Sequence, residues 1–374
     1  MTDAQEWHDV GSAEELQQRE LQEVTLGRTK IAISFREGRF SAVSGVCNHV
    51  SGPLGQGRLD GEYVVCPWHA WKFHHRSGQG EPGFEDDQLP VHEVKVEAGR
   101  VLVAARPSVP RHRRPHPPHR LEQVRSRGEE GGAALDAPWR VLGVSTTSMN
   151  LAQPRFSGSE HLLELALGHA AAAGAETRLI RLRELSFRAC EGYYSKSARA
   201  CTWPCSITQM DPGDELDRLY EAFVQWCDVV LVATSIRWGN ASSLYYKMAE
   251  RMNCIQNQLT IADRVLLKNK VVSFIIIGGQ DNIQAVAGQL MSFFGELGCH
   301  FPQFPYIAHS RGWSAEDMER NVEFVEHSRD LRRGAEELVE RCLTKVQALI
   351  GQPEGKRLER GGRKAHQLDV KAQQ

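Results

Sequence analysis

Two short Cys–His pairs constrain this chain more than any other feature. The stretch from Cys47 to His69 reads CNHVSGPLGQGRLDGEYVVCPWH, so Cys47-x-His49 is followed by Cys66-x-x-His69. Both pairs are mixed, and Gly and Pro surround both loops. Two thiolates on one iron and two imidazoles on the other make a mixed-ligand [2Fe–2S] centre, whose potential lies well above that of an all-thiolate cluster. Tetrahedral zinc also takes two Cys and two His, but zinc fingers group the two Cys in the first pair and the two His in the second. The spacing therefore points to the cluster, with zinc as the alternative, and to a chain that moves electrons.

From about residue 5 to 107 the sequence resembles a Rieske ferredoxin domain. The resemblance is carried by Gly52-Pro53-Leu54 after the first pair and by Cys66-Pro67-Trp68-His69, and it implies Cys47, His49, Cys66 and His69 as the cluster ligands. High-potential members of that family carry an extra Cys in each loop, joined as a disulfide; Gly52 and Trp68 stand in those places here. They also place a Ser and a Tyr just after the second His, where this chain has Trp71 and Phe73. Fewer donors to the cluster sulfurs stabilise the reduced state less. The expected potential is at the low end of the range, on the order of −150 mV, as suits a bacterial ferredoxin or oxygenase-type module. His74 and His75 follow without a further ligand to join and read as loop or strand histidines.

A chain of 374 residues has room for two domains, each with its own core. The net charge of −2 gives no electrostatic argument for nucleic acid. The start, MTDAQEWHDV, has neither the basic nor the apolar region of a signal peptide. The most apolar run, VVSFIIIGG from Val271, is too short to cross a bilayer. Nine cysteines, two of them assigned to the cluster, leave no even disulfide framework. A cytoplasmic protein is expected, with no membrane partner.

Residues 1–107 read as a small all-β domain. TLGRTKIAISFREGRFSAV alternates apolar and polar residues between turn signals, and LPVHEVKVEAGRVLV closes as a hairpin around Ala98-Gly99-Arg100. Residues 108–137, rich in Pro, Arg and His and then in Gly, Glu and Ala, read as a linker. Such a tether would let the cluster swing between two partners. From 138 to 350 the grammar is strand then helix: strands at Val141–Val144, Glu176–Leu182, Val229–Ala233 and Val271–Ile277, and helices at Ser159–Gly174, Glu215–Trp226, Leu244–Cys254, Gln284–Leu297 and Ala315–Ile350. Apolar strands between amphipathic helices predict a doubly wound parallel α/β sheet, with ligands beyond the carboxyl ends of its strands. Residues 351–374 form a polar tail.

Three loops follow those strand ends: Ser145 to Asn150 with Ser157-Gly158-Ser159 opening a helix, Ala233 to Ser243, and Gly278 to Asn282. Hydroxyls at a helix N-terminus suit a phosphate. In their joint order the loops resemble the flavodoxin-like, NAD(P)H-dependent FMN reductase family over about residues 139–350. That resemblance puts the FMN phosphate on Ser145, Thr147, Ser157 and Ser159. It puts the ribityl chain and ring along Thr234, Ser235, Ile236, Arg237, Trp238, Gly239 and Asn240, and the pyrimidine edge at Gly278, Gly279 and Gln280. Lys247 and Arg251 match the family's Lys and Arg after the second loop. An insertion, Met149 to Phe156, separates this first loop from the compact form, and Ser235 and Arg237 replace the usual Pro and Tyr. Trp238 is then the aromatic expected to stack on the flavin, and Arg237 either stabilises a reduced flavin or sits on the surface paired with a carboxylate. Cys190, Cys201 and Cys205 are spaced too widely for the tight cysteine cluster of some relatives; no metal is expected there, with Cys201/Cys205 as a minor redox pair.

Joined in one chain, these modules imply an enzyme passing electrons from NAD(P)H to FMN to [2Fe–2S] to an acceptor: an oxygenase, another metalloprotein or a small oxidant such as a quinone. A flavin takes a hydride and releases electrons singly. In a second reading an external reductase feeds the cluster and FMN reduces a substrate in a pocket lined by Tyr193, Trp203, Trp238 and Tyr245. In a third the chain is a non-catalytic carrier or redox sensor. An oxygenase catalytic subunit would need two His and a carboxylate on one iron; His309 and His327 are isolated and read as surface residues. The flavin family's habit of pairing implies a homodimer or homotetramer.

Overall fold

The computed structural model describes residues 5–113, 119–123, 138–211, 213–262, 264–278, 282–312 and 314–350. The polar tail and most of the segment read as a linker lie outside the described residues. The chain divides into two compact units. One comprises the chain up to Pro118 together with Glu191–Thr202; the other comprises His119–Cys190 and the chain from Trp203 onward.

The first unit is all β. Strands β1 (Trp7–Ser12), β2 (Leu21–Leu26), β3 (Thr29–Arg36), β4 (Arg39–Ser44), β5 (Arg58–Asp60), β6 (Tyr63–Val65), β7 (Lys72–His74), β8 (Val91–His92), β9 (Val94–Glu97) and β10 (Arg100–Ala104) form three antiparallel sheets, ordered β1-β10-β9, β2-β3-β4-β8 and β5-β6-β7. The period-two pattern of β3 decides how they stack. Ile31 and Ile33 point one way, into a core with Val101 and Val103. Ala32 points the other way, into a core with Leu54, Val64, Phe73 and the two cysteines Cys47 and Cys66. The expected closing hairpin is β9–β10, turning through Ala98 and Gly99 at positive φ.

Pairing does not stop at residue 107. Val109 bridges Val91 and His112 bridges Gln88, so the first residues of the Pro/Arg/His-rich run belong to this β unit.

The second unit holds a parallel sheet of β11 (Arg140–Ser145), β12 (Glu176–Arg181), β13 (Val229–Ile236), β14 (Val271–Gly278) and β15 (Tyr306–Ser310), in the order β12-β11-β13-β14-β15. This is the flavodoxin-like order, and its switch point lies between β11 and β13. β13 and β14 are buried almost throughout because helices cover both faces. On one face Gly158–Ala172 and Arg329–Ile350 bring Leu163, Leu167, Leu338 and Val346 onto Val141, Val229 and Ile275. A Cβ at Gly143 would sit 2.7 Å from Leu167 Cδ1, so this glycine sets how closely that helix approaches β11.

The structure departs from the expected elements at four places. β15 was not foreseen; its five residues form a half-buried edge strand without a long apolar run. The terminal helix is two, Ala315–His327 and Arg329–Ile350, because Ser328 turns to extended backbone and its hydroxyl accepts from Leu331 N as the cap of the second. The helix expected over Glu215–Trp226 is an α-helix only at Leu216–Tyr220 and continues as a π-helical turn, Glu221–Trp226. After Ser243–Arg251 a further helix, Asn253–Ala262, follows directly.

Candidate functional site

In the first unit the two Cys–His loops are built as the same turn. Cys47 N donates to the Gly52 carbonyl, and Ser51 N to the Cys47 carbonyl; Cys66 N donates to the Trp71 carbonyl, and Ala70 N to the Cys66 carbonyl. Ser51 and Ala70, each four residues past its cysteine, both adopt positive φ. Each loop so curled presents its Cys and His side chains toward the other loop.

The side chains meet like with like. His49 Nδ1 lies 3.0 Å from His69 Nδ1, and the Cys47 and Cys66 thiols are hydrogen-bonded to each other. Sharing a proton and burial push the Cys47 thiol up; the same hydrogen bond, helped by backbone N–H groups of Trp68 and His69, draws Cys66 down to about 7. A single tetrahedral metal would need all four donors about one point. A two-iron cluster needs two imidazole nitrogens together and two thiolates together, which is the arrangement present. There is no room to spare beside it: a Cβ at Gly52 would lie 2.7 Å from Cys66 Sγ. The residues fit a [2Fe–2S] group.

The surroundings explain the departures noted in the sequence. Trp71 stacks on the His49 ring at 4.8 Å and 6°, while Phe73 is core. None of the nine cysteines is in a disulfide. His75 is buried between Ser34 Oγ and Glu62, and His74 caps the turn after β7, so both serve the β framework. His69 is only 4% exposed; burial lowers its pKa.

In the second unit the loops after β11 and β13 bracket the switch point. Three of the four hydroxyls predicted for the phosphate come together: Thr147 Oγ1 lies 2.9 Å from Ser157 Oγ and 3.3 Å from Ser159 Oγ, and the two serines are 3.3 Å apart. Ser157 caps the helix Gly158–Ala172, so its free N–H groups face the same point. The fourth, Ser145, is fully buried and donates to Glu160; its hydroxyl is taken, and it braces the loop.

Glu160 is the residue the sequence reading missed. It stands three after Ser157, a helix-start signature. Burial would raise its pKa, but hydrogen bonds from Arg183, Ser145 and Arg181 take it down to about 2. The two guanidiniums more than offset one carboxylate, so the base of an anion loop is not left negative.

The second loop is tied to the first. Ser242 donates to the Thr146 carbonyl and Oγ1, and Thr234 Oγ1 accepts from Ser242 N at 3.1 Å. Arg237 Nη2 reaches the Ser148 carbonyl at 3.3 Å, spanning the two loops. Arg237 and Asn240 close a turn whose tip, Trp238 and Gly239, has positive φ at both residues. Trp238 is 89% exposed. Ile236 is buried beneath the loop, and the Ser235 hydroxyl is buried with no partner among the described residues, an orphan that a bound polar group would satisfy. The donor set fits FMN. The Gly278 carbonyl accepts from Asn321; Gly279 and Gln280 lie outside the described residues.

Other expected roles change. Arg251 is fully buried in a pair with Asp214, 2.7 Å away, and also holds Thr208 and the Arg188 carbonyl; it anchors the fold. Lys247 rests over the Phe187 ring. The proposed substrate aromatics each have a different neighbour: Tyr193 meets His69 in the first unit, Trp203 packs on Tyr220, and Tyr245 lies between Tyr246 and Phe293. Cys205 has Cys254 and Arg251 beside it, and the Cys254 hydrogen bond leads in lowering its pKa to about 6. His309 is half-buried and stacks on Phe324, whereas His327 is exposed. Among the described residues no helix is long and apolar enough to cross a membrane.

Comparison with known proteins finds two family matches along the chain. Residues 6–92 match the Rieske [2Fe-2S] domain, and residues 151–314 match NADPH-dependent FMN reductase. The ferredoxin component of the alkene monooxygenase system of Xanthobacter autotrophicus is 35% identical over 104 residues, covering 27% of this chain and 84% of that protein. Human apoptosis-inducing factor 3 is 35% identical over 98 residues, but these span only 16% of its length. Among solved structures, RosB with bound intermediate OHC-RP (8-demethyl-8-formylriboflavin-5'-phosphate) is similar over 61% of this chain and 87% of that one, at 18% identity and a TM-score of 0.48.

Proposed function

The chain belongs to the Rieske [2Fe–2S] family, with an NADPH-dependent FMN reductase domain behind it, and we propose that it passes electrons from NAD(P)H through FMN and the cluster to an oxygenase-type acceptor protein. The observation that carries this reading is that each unit holds a formed site for a different redox group: paired imidazoles and paired thiols in one, a hydroxyl-lined helix start at the switch point in the other. When bound, FMN supplies the exchange of a hydride for single electrons and the cluster a one-electron relay.

The protein's own part is placement. Cys47 and Cys66 would hold one iron and His49 and His69 the other, with Trp71 stacked on the His49 ring. Thr147, Ser157 and Ser159 hold the FMN phosphate with the backbone N–H groups at the helix start. Ser235 and Arg237 line its sugar and ring side, while Thr234, fully buried with its hydroxyl accepting from Ser242 N, braces the loop beneath. The choice of acceptor rests on the alkene monooxygenase ferredoxin component, whose named role is within an oxygenase system.

Anaerobic titration with NADH or NADPH tests the order. The flavin absorbance bleaches first, and the electron paramagnetic resonance (EPR) signal of the reduced cluster then appears. If neither nucleotide reduces either group, the proposal fails. In His69→Ala, reduction of the flavin by nucleotide persists while transfer to the acceptor is lost.

A further inference from the structure

One stretch of chain sits where neither domain reading puts it. After Cys190 the segment Glu191–Thr202 packs as part of the first unit, against the second ligand loop. Lys196 Nζ donates to the Pro67 carbonyl at 2.6 Å. The Tyr193 ring meets the His69 ring edge-on at 4.8 Å. The Ala200 carbonyl lies 2.7 Å from His69 Nε2. Ala200 is fully buried, and its N–H is bonded to the Ser197 carbonyl at 2.9 Å, so the turn Ala198–Ala200 fixes where that carbonyl points.

A carbonyl only accepts, so His69 Nε2 carries the proton and Nδ1, facing His49, keeps its lone pair. A hydrogen bond from the far N–H of a metal-bound imidazole also raises the donor strength of the nitrogen on the metal. His49 has a different environment: half-buried and stacked on Trp71.

We propose that the Ala200 carbonyl is a positioning group for the cluster, fixing His69 as an Nδ1 donor, strengthening that donor and closing its outer edge. The cluster then sits at a more negative potential than it would with His69 hydrated. The proposal rests on His69 being a cluster ligand.

The test keeps the charge constant. Ala200→Pro removes the N–H that Ser197 holds and displaces the carbonyl; Ala200→Gly keeps both groups. Lys196, whose charge acts on Cys66 and His69, stays in both. In an EPR-monitored titration of full-length holoprotein, the Ala200→Pro midpoint moves positive and Ala200→Gly stays at the wild-type value. In unmodified protein transferred to D2O, electron–nuclear double resonance shows a ligand imidazole N–H that exchanges slowly. Equal midpoints in all three proteins with the cluster intact overturn the proposal. So do two ligand imidazoles that both exchange fast in the wild type, which needs no variant to fold. A wild-type cluster without two coupled imidazole nitrogens would instead remove the ligand assignment beneath it.

Discussion

Arg111 donates to the side-chain oxygen of Asn48, the residue between Cys47 and His49. The same guanidinium reaches the Val46 carbonyl at 3.1 Å and Ser44 Oγ at 2.7 Å, so one arginine spans the whole entry to the first ligand loop. Asn48 is held from its other side by Asp87 and the His112 carbonyl. Arg111→Gln leaves buried acceptors unpaired, at about 1–3 kcal/mol, and takes a positive charge from beside Cys47. The expected result is faster cluster loss to a chelator and a midpoint shifted negative, both read from the visible and EPR spectra of the holoprotein.

Glu160 makes the second unit acid-sensitive in a defined window. Its folded pKa of about 2 lies below the ordinary glutamate value of about 4.3. A depressed carboxylate stabilises the fold above its unfolded pKa and loses that contribution as pH falls toward the folded value. About two pH units correspond to roughly 3 kcal/mol. Urea unfolding at a series of pH values should show stability flat above pH ~4.3 and falling below it. Glu160→Gln should be less stable at neutral pH and should lose most of that slope.

Neither side chain of the pair Asp214–Arg251 is exposed to solvent. Asp214 also accepts from Thr208 and Arg188 N, and despite burial these bonds with Arg251 lower its pKa. Removing one partner strands the other charge, at about 3–5 kcal/mol. Asp214→Asn should therefore lower the thermal midpoint of the flavin domain by several degrees, and the cluster's EPR spectrum should stay unchanged. A variant as stable as wild type would show that Arg251 finds another acceptor.

The parts legible in the sequence are those whose chemistry is local in the chain. Cys47 with His49 and Cys66 with His69 are a turn apart, and Thr147, Ser157 and Ser159 flank one helix start. Contacts between distant segments left no mark. Arg111 lies in a run whose composition reads as a tether, and only the fold brings it to Asn48. Ala200 reaches His69 across 131 positions, with no periodicity to announce it. Arg251 has the right spacing from the second loop for a flavin role, yet the buried carboxylate of Asp214 claims it. Tyr306–Ser310 forms an edge strand because β14 offers it a partner, a cause that lies outside its own residues.

Ser145 and Thr147 are two residues apart on the same loop, and the structure separates their roles. The Thr147 hydroxyl faces Ser157 and Ser159 at the helix start, whereas that of Ser145 is committed to Glu160. Thr147→Val removes a hydrogen-bond donor from the phosphate site and keeps the shape; one such bond to a charged group is worth about 1.5–3 kcal/mol. FMN affinity should fall by roughly ten- to a hundredfold, measured by quenching of flavin fluorescence as FMN is returned to the apoprotein. Ser145→Ala should leave that affinity within about twofold and instead weaken the fold by ~1 kcal/mol in urea. If the two variants exchange these effects, the phosphate is held on the other side of the loop.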